Sequence, residues 1–543
     1  MDRLDRAAQA ALARARSPIR GLLQDLVTCQ AERRPEATAL VQGSERMTYG
    51  ELEAASNRLA RVLREAGCRA GDRVCFLAPK SPATLAWMLG ILKAGAMHVP
   101  LDAASPPARL RRIFEACEPR VLLAAGPVQN LVAEALGDLA RAPLLGWLDA
   151  QAPTPLPAAF GCADVARAAA SGIMCTTREQ DPAHILFTSG STGVPKGVVI
   201  THANVNAFVQ WALGHFGLDP TDRVSGHTPL HFDLSTYDIF GTYAAGAELH
   251  LVPADTALLP HRLAQFIRDS RLTQWFSVPS VLNYLAKADA VRPGDFPELR
   301  RVMWCGEVLP TPALVYWMQR LPHARFTNLY GPTEATIASS YYDVPACPAS
   351  AAAHIPIGAA CGGEELLVID GEICIAGAGL SPGYWRDAEK TAAVFVPHPR
   401  RSGERMYRTG DLGRVRADGL VELIGRADTQ IKSRGYRIEL GEIEAALGTL
   451  SSLRESAVVA IASASFEQWE ICCAYVPMPG TEVGPAALRA QLARLVPAYM
   501  LPARWMAYAA LPRNPNGKVD RPRLKGAFES FEPCKPTQPS FTT

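Results

Sequence analysis

Hydroxyl side chains, glycines and a single lysine are concentrated in the segment LFTSGSTGVPKG, residues 186–197. Backbone N–H groups, hydroxyls and an ammonium group in one turn can together bind an anion such as a phosphate. The segment differs from the G-x-x-x-x-G-K-[ST] loop, because Gly197 follows Lys196 where that loop has a hydroxyl residue. Gly190 and Gly193 also have a different spacing. The segment therefore predicts a phosphate-binding loop of another kind.

The elements that would position this loop alternate between apolar strands and helices. RVCFLAP, residues 73–79, predicts a buried strand, and SPATLAWMLGILKAGA, residues 81–96, predicts a helix that ends near Gly95. HILFTSG and RVMWCGE, which begin at residues 184 and 301, repeat the pattern of a strand followed by glycine. Strand, glycine turn and helix in succession predict an α/β fold with ligands at the carboxyl ends of the strands.

Charge and hydropathy exclude several classes of protein. The chain has 55 Lys and Arg against 53 Asp and Glu, a net charge of +2, so no basic excess is available to neutralise a nucleic acid. No apolar run reaches the roughly 18 residues that cross a bilayer. The N-terminal segment has no apolar core of a secretory signal and predicts an exposed amphipathic helix. The 13 cysteines lack metal-ligand spacing, which favours free thiols in a reducing cytoplasm.

Changes in composition divide the 543 residues into domains. A stretch rich in Pro and Ala between Asp149 and Ser171 predicts a surface loop. Near Gly425 the pattern changes to a charged turn, a short strand and an amphipathic helix from about Leu440. We therefore place a boundary at Asp428. The predicted parts are a large domain of layered sheets and helices (1–427), a small mobile α+β domain (428–525) and a disordered tail (526–543).

Seven further segments accompany the loop in a fixed order. They are MTYGEL (47–52), LKAGAMHVPLD (92–102), NLYGPTEAT (328–336), GEICIAGAGLSPGYW (371–385), YRTGDLG (407–413), GRADTQIKSRGYRIELGEIE (425–444) and NPNGKVDR (514–521). The set resembles the adenylate-forming superfamily, and specifically the amino-acid adenylation domains of nonribosomal peptide synthesis. The resemblance covers roughly residues 25–525, and eight ordered motifs make a chance match negligible.

The resemblance implies that a carboxylate attacks the α-phosphate of ATP to give an acyl-adenylate, and that a thiol then displaces AMP. It implies that Lys518 bridges the carboxylate and the α-phosphate, that Thr333 contacts the α-phosphate and that Glu334 holds Mg²⁺. His231 is the candidate aromatic gate near the reacting carboxylate, and Asp428 is the candidate hinge. The residues implied for ATP are Thr188, Ser189, Gly190, Ser191, Thr192, Gly193 and Lys196 for the phosphates, Tyr330 for adenine, and Asp411 and Arg426 for the ribose.

The segment HFDLSTYDIFG, residues 231–241, is similar to the start of the family's substrate pocket. Asp233 lies in an apolar run, and a buried carboxylate needs a partner, which in amino-acid-activating relatives is the substrate's ammonium. The other implied pocket residues are Leu234, Tyr237, Phe276, Met303, Cys305, Leu329, Ile337 and Ala338, with Lys518. This mostly apolar lining resembles the pockets of prolyl-activating enzymes, with alanine pockets next; serine or glycine remains open.

No carrier segment is recognisable after Lys518, so we expect a free-standing enzyme that loads a separate, acidic and helical carrier protein. An acyl- or aryl-CoA ligase on the same fold is the alternative, against which Asp233 argues. A catalytically idle scaffold is a third interpretation, against which the presence of Lys518, Glu334 and Asp411 argues. We expect no nucleic-acid or membrane partner.

Overall fold

The computed structural model describes residues 21–137, 139–149, 156–190, 193–463, 469–514 and 517–530. The predicted N-terminal helix, Ser191, Thr192 and the predicted tail from residue 531 lie outside them. Two compact units are present. The larger comprises residues up to Thr188 and Pro195–Asp428, and the smaller comprises Ser189–Val194 and the residues from Thr429 onward.

The larger unit contains three sheets among the described residues. The first has nine strands, in the spatial order Ala359–Ala360, Ser340–Asp343, Arg325–Tyr330, Arg301–Cys305, Gln274–Ser277, Arg223–Gly226, Glu248–Leu251, Thr38–Gln42 and Glu45–Thr48. The second has eight, in the order Gly383–Tyr384, Lys196–Thr201, Pro182–Thr188, Met97–Pro100, Arg73–Leu77, Val121–Ala124, Leu144–Trp147 and Phe160–Gly161. The third contains Glu364–Ile369, Glu372–Gly377, Arg405–Val415, Phe395–Pro397 and Val421–Arg426.

Helices separate most of these strands along the chain. They are Asp25–Arg33, Tyr49–Glu65, Pro82–Lys93, Pro107–Cys117, Gln129–Leu136, Cys162–Arg167, His202–Phe216, Leu234–Ala245, Ala254–Ala257, Pro260–Asp269, Pro279–Lys287, Thr311–Arg320 and Ala388–Val394, with a 3₁₀ turn at Thr333–Ala335. Local side-chain contacts explain where one of these helices begins. Ser81 caps the helix Pro82–Lys93 by accepting from the Thr84 N–H, and proline occupies its first position. The strand and helix predicted at residues 73–96 are thereby confirmed.

The smaller unit is an α+β arrangement, as the sequence predicts. Its strands are Gln430–Ser433 and Tyr436–Glu439 in one sheet, and Leu453–Ala462, Trp469–Pro477 and Arg504–Ala507 in another. Its helices are Leu440–Leu447, Pro485–Leu492 and Arg521–Glu529, with a 3₁₀ turn at Ala498–Met500.

Two boundaries differ from the sequence analysis. The stretch from Asp149 to Ser171 is not loop throughout, because it contains the strand Phe160–Gly161 and the helix Cys162–Arg167, whose first turn has Asp164 accepting from the Gly161 N–H. The helix Arg521–Glu529 continues beyond residue 525, where the tail was expected to begin, because Phe528 is buried in the small unit's core. None of the helices in the described ranges is both long and apolar enough to cross a membrane.

Candidate active site

Parallel strands of the nine-stranded sheet present predicted pocket residues on one face. Phe276 pairs in register with Met303, and Cys305 pairs with Leu329. Side chains alternate between the two faces of a strand, so these four residues face one side while the intervening residues pack in a separate core cluster. The alternation brings residues that are distant in sequence to one wall.

The rest of that wall comes from two helices and the segment after the 3₁₀ turn. One apolar cluster contains all eight apolar residues predicted for the pocket, and none of them is more than 5% exposed. The eight are Leu234, Tyr237, Phe276, Met303, Cys305, Leu329, Ile337 and Ala338. Phe208, Ala212 and Phe216, from the helix His202–Phe216, complete the cluster. Sequence reasoning missed these three, because apolar positions on a helix are usual in any core.

Tyr237 is the centre of the cluster's aromatic contacts. Its ring meets Phe208, Phe216 and Phe276 at centroid distances of 5.8, 5.9 and 5.6 Å in edge-to-face geometry. Burial raises the pKa of the Tyr237 hydroxyl well above its ordinary value, so the group stays neutral. It lies 3.5 Å from Gln274 Oε1. These ring contacts form an aromatic floor within the apolar cluster.

Asp233 lies beside this cluster at the start of the helix Leu234–Ala245. Its side chain does not cap that helix; instead Oδ2 accepts a hydrogen bond of 2.8 Å from Thr333 Oγ1. Thr333 begins the 3₁₀ turn Thr333–Ala335. The structure therefore joins the residue predicted for the substrate's ammonium to the residue predicted for the α-phosphate.

The same turn buries Glu334 completely. Tyr384 Oη donates to Glu334 Oε1 over 2.7 Å, and the Ser381 N–H donates to the Glu334 carbonyl over 2.9 Å. The ammonium of Lys196 is 5.5 Å from the Tyr384 ring centre. Tyr384 was not predicted as a site residue, although it is in the quoted segment that ends in GYW.

Backbone strain follows the turn. Thr336 and Ile337 have φ values of 54° and 70°, a region that L-residues, and β-branched residues above all, seldom occupy. The Ala338 N–H donates to the Thr336 carbonyl over 2.9 Å, and Thr336 Oγ1 donates to the Gly379 carbonyl over 2.6 Å. These bonds hold the strained segment and place Ile337 and Ala338 against the pocket cluster.

A polar network occupies the opposite side of the strand Arg325–Tyr330. Tyr330 Oη donates to Asp411 Oδ2 over 2.6 Å, and Arg426 Nη1 donates to Asp411 Oδ1 over 2.5 Å. Arg426 also makes a two-point contact with Asp428, of 2.7 and 2.6 Å. Burial, followed by the Asp411 charge, holds the pKa of Tyr330 well above its usual value, so its hydroxyl remains a donor. The three residues predicted for adenine and ribose are thus adjacent.

His231 and Thr188 carry buried polar atoms without hydrogen-bond partners among the described residues. These atoms are His231 Nε2 and Thr188 Oγ1. Burial lowers the pKa of His231, which nearby Asp102 opposes, so the imidazole is neutral. Thr188 ends a strand and Lys196 begins the next one, and the two strands pair. An orphaned hydroxyl and an ammonium at neighbouring strand ends fit an anionic ligand.

The remaining predicted residues belong to the smaller unit. Ser189 Oγ donates to the Arg437 carbonyl over 2.5 Å, and the Gly190 N–H donates to Glu442 Oε2 over 3.2 Å. Gly193 has a φ of 81°, which glycine adopts readily. Lys518 is exposed in a tight hairpin: its N–H donates to Asn514 Oδ1 over 3.0 Å, and its carbonyl accepts from the Asn514 N–H over 2.8 Å.

Comparison with known proteins decides the family. Residues 27–385 match the family model described as AMP-binding enzyme, and residues 442–518 match the AMP-binding enzyme C-terminal domain. The chain belongs to the AMP-binding enzyme family. The predicted resemblance is confirmed.

Relatives of this AMP-binding enzyme include proteins of similar length and much longer ones. It is 35% identical to an L-proline–[L-prolyl-carrier protein] ligase of Streptomyces coelicolor, over 89% of this chain and 92% of that protein. It is 34% identical to tyrocidine synthase 3 of Brevibacillus parabrevis, over 96% of this chain but 8% of that protein. The chain thus spans under a tenth of that synthetase. The solved Vibrio cholerae adenylation domain AlmE, bound to glycyl-adenosine-5'-phosphate, aligns with a TM-score of 0.79 at 25% identity, covering 94% of this chain and 98% of that one.

The donor set of this AMP-binding enzyme limits the kind of metal site it can form. Among the described residues, no group of three or more His, Cys, Asp or Glu side chains is arranged to hold a metal ion. Glu334 supplies a single buried carboxylate beside the turn. A hard cation that takes most of its oxygen ligands from a bound nucleotide fits such a carboxylate.

Proposed function

We propose that the protein activates a small neutral amino acid with ATP and transfers it to the phosphopantetheine thiol of a separate carrier protein. The observation that carries the proposal is the hydrogen bond between Asp233 and Thr333 at the edge of the apolar cluster. It places a carboxylate suited to an ammonium next to a hydroxyl suited to a phosphate. The names of the prolyl-carrier protein ligase and the glycyl-adenylate-bound domain support this chemistry.

The reaction has two steps. In the first, a carboxylate oxygen of the amino acid attacks the α-phosphorus of ATP, the bond to the bridging β-oxygen breaks, and pyrophosphate leaves. In the second, the carrier's sulfur attacks the acyl carbon, AMP leaves, and the thiol proton passes to solvent. Neither step needs a protein nucleophile, so the protein contributes positioning and charge stabilisation.

The larger unit's residues divide these tasks. Tyr330 would stack on adenine, while Asp411 would accept from the ribose hydroxyls with lone pairs that remain beside Tyr330 and Arg426. Thr188 and Lys196 would hold the phosphates. Glu334 would bind a nucleotide-bound Mg²⁺, and Tyr384 fixes the orientation of Glu334 by its hydrogen bond. The neutral His231 would shield the reacting carboxylate from water.

Lys518 and Asp428 complete the proposal. The Lys518 ammonium would neutralise the substrate carboxylate and the α-phosphate as the two anions meet. The smaller unit would then rotate about Asp428 and withdraw Lys518 before the thiol attacks. Asp428 is the last residue of the larger unit, and its two-point contact with Arg426 would anchor the hinge on the nucleotide side.

The character of the pocket lining favours proline or alanine, with serine or glycine as further candidates. Three of the eight apolar residues, Tyr237, Phe276 and Met303, are bulky, which favours a small substrate side chain. None of the eight carries a charge, which disfavours Arg, Lys, Asp and Glu as substrates.

No disulfide joins the twelve cysteines of the described residues, which suits the reducing cytoplasm that we propose for the enzyme.

The test is ATP–pyrophosphate exchange with a panel of amino acids and with the matching des-amino acids. We expect proline or alanine to give the highest rate, and propionate to be a poor substitute for alanine, because it leaves Asp233 near a pocket without a cation. Asp233→Ala should raise the amino-acid KM by at least about tenfold, while the ATP KM should fall by no more than about fivefold, because Thr333 loses its carboxylate partner.

Two results would count against the proposal. Highest activity with Phe, Trp, Arg or Glu would contradict the small neutral pocket. Exchange that depends on fatty or aryl acids, with the same preference in wild type and Asp233→Ala, would instead support an acyl- or aryl-CoA ligase. Asp418→Ala, which removes an exposed carboxylate paired with Arg416, is the matched control and should leave substrate preference unchanged.

A further inference from the structure

An aspartate in the helix that begins after Asp233 interacts electrostatically with a lysine that follows the strand Arg73–Leu77. Asp238, in the helix Leu234–Ala245, is 1% exposed. Lys80, which follows the strand Arg73–Leu77, is half-buried. Burial raises the pKa of Asp238 well above its usual value, and the Lys80 charge opposes this rise. Burial also lowers the pKa of Lys80 to about 8. The proposed reaction uses neither group.

The Lys80 ammonium binds the main chain of one loop. Its Nζ donates to the carbonyls of three consecutive residues: Gly226, His227 at 2.8 Å and Thr228 at 3.3 Å. An ammonium has three donors, and here all three point to successive carbonyls. Such a cluster of acceptors fixes the path of the chain where it leaves the strand Arg223–Gly226.

That path leads directly to the proposed substrate contacts. The loop continues through His231 to Asp233, and it is held from the helix side by Ser235, whose Oγ donates to the Phe232 carbonyl over 2.7 Å. Lys80 holds the loop at its strand end and Ser235 holds it at its helix end. The position of the Asp233 carboxylate therefore depends on both attachments.

A second buried lysine shows what a purely structural ion pair looks like in the same unit. Lys93 Nζ lies 2.6 Å from Glu53 Oε2 and 2.7 Å from Asn57 Oδ1. Glu53 and Asn57 are both side chains of the helix Tyr49–Glu65. Lys93 thus joins two helices, whereas Lys80 holds the carbonyls of a loop that carries site residues.

We propose that Lys80 is a positioning residue for the amino-acid substrate. By fixing the carbonyls of residues 226–228 it sets where Asp233 meets the ammonium. This inference rests on the proposed function, because it assigns Lys80 to the amino-acid side of that reaction and not to the nucleotide side.

The experiment compares Lys80→Met with Lys93→Met. Each substitution removes one lysine ammonium, from the half-buried Lys80 or from the buried Lys93. Lys80→Met loses the hydrogen bonds of a charged donor, so we expect its amino-acid KM to rise by about tenfold or more. Its ATP KM should stay within about twofold of that of the wild type. Hydrogen–deuterium exchange of the peptide covering residues 226–233 should become faster in this variant. Lys93→Met should lower thermal stability while both KM values and the loop's exchange stay unchanged.

A second pair of variants keeps the test informative if Lys80→Met does not fold. Lys80→Arg retains the charge beside Asp238 but cannot reproduce three donors on one nitrogen, so the amino-acid KM should still rise. Asp238→Asn leaves the Lys80 contacts to the three carbonyls in place and should change that KM less than Lys80→Arg does. A wild-type amino-acid KM in Lys80→Arg, or equal effects in Lys80→Met and Lys93→Met, would overturn the assignment.

Failure of this inference and failure of the proposed function give different results. Wild-type protein without amino-acid-dependent pyrophosphate exchange would refute the function, yet faster loop exchange in Lys80→Met would still support the positioning of the loop by Lys80. Unchanged loop exchange in that variant would refute the positioning, whatever acid the wild type activates.

Discussion

Leu329 and Tyr330 are neighbours in one strand, yet they serve two regions of opposite chemistry. Leu329 belongs to the apolar cluster around Tyr237, and Tyr330 belongs to the polar network with Asp411 and Arg426. The alternation of side chains along a strand places the two residues on opposite faces. One strand therefore supplies a wall to the proposed amino-acid pocket and a hydrogen bond to the proposed nucleotide site.

The two regions depend on different physics. In the apolar cluster the stabilising free energy comes from close packing of side chains, so any apolar side chain of suitable shape contributes. In the polar network it comes from matched partners, so removing one group leaves another unsatisfied. Changes in the cluster should therefore alter which substrate fits, whereas changes in the network should alter whether the nucleotide binds.

The largest expected effect is on the apolar side. Phe276→Ala should lower the free energy of unfolding by about 4 kcal/mol, because it removes a fully buried ring, and should raise activity with leucine relative to alanine by enlarging the pocket. Phe326→Ala removes an equally buried ring from another cluster and should cost similar stability without a change in preference. Denaturant unfolding and a substrate panel on both variants check this; the same preference in both would contradict it.

A somewhat smaller effect is expected on the polar side. Asp411→Asn keeps the shape but removes the charge that faces Arg426, and should weaken ATP-dependent activity by about 3 kcal/mol, roughly a hundredfold, through the ATP KM. Asp222→Asn removes the charge of another buried carboxylate, which pairs with the half-exposed Arg300 and accepts from Thr273, and should lower stability while leaving both KM values unchanged. ATP titrations followed by thermal unfolding measure the difference. A raised amino-acid KM in Asp411→Asn would show that the two regions are not separate.

The smallest effect concerns a carboxylate that has an amide donor and no cation among the described residues. Glu364 Oε1 accepts from the Gly379 N–H over 2.7 Å, and burial raises its pKa from 4.5 to about 7. The folded state therefore retains a proton that the unfolded chain loses above pH 4.5, so its stability is greatest in acid and falls as the pH rises toward 7. With allowance for partial exposure, the loss between pH 5 and 8 is about 2 kcal/mol.

Glu364→Gln removes this titration and keeps an acceptor for Gly379. Its free energy of unfolding should change less between pH 5 and pH 8 than that of the wild type, which urea denaturation at the two pH values measures. An equal pH dependence in both proteins would assign the effect to another group.

Residues with distinctive chemistry could be located from the sequence. Tyr330, Asp411 and Arg426 lie in separate motifs, and the structure brings them into contact. The aromatic residues around Tyr237 were harder to predict from the sequence. Phe208 and Phe216 lie in a helix whose apolar positions are typical of any buried helix. The distinction depends on which sheet face the helix covers, and that is decided by contacts distant in sequence.

Other features could not be derived from local pattern. The helix Cys162–Arg167 is short and lies beside a stretch rich in Pro and Ala. The composition of this stretch therefore predicted a loop. The positive φ of Ile337 contradicts the preference of a β-branched residue and is imposed by the hydrogen bonds around it. Such strain becomes visible only once the turn Thr333–Ala335 and Gly379 are placed together.

The hydrogen bond between Thr333 and Asp233 bears on the order in which the two substrates arrive. In the proposed reaction each of these side chains would keep the other until a ligand offers a better partner, an ammonium for Asp233 or a phosphate for Thr333. The first substrate to bind would therefore break the bond, and the second would find its partner already released. If the bond is worth about 1 kcal/mol, either substrate would raise the affinity for the other by about fivefold, and the effect would be reciprocal. Binding would then follow no compulsory order, yet a half-loaded enzyme would favour completion over release.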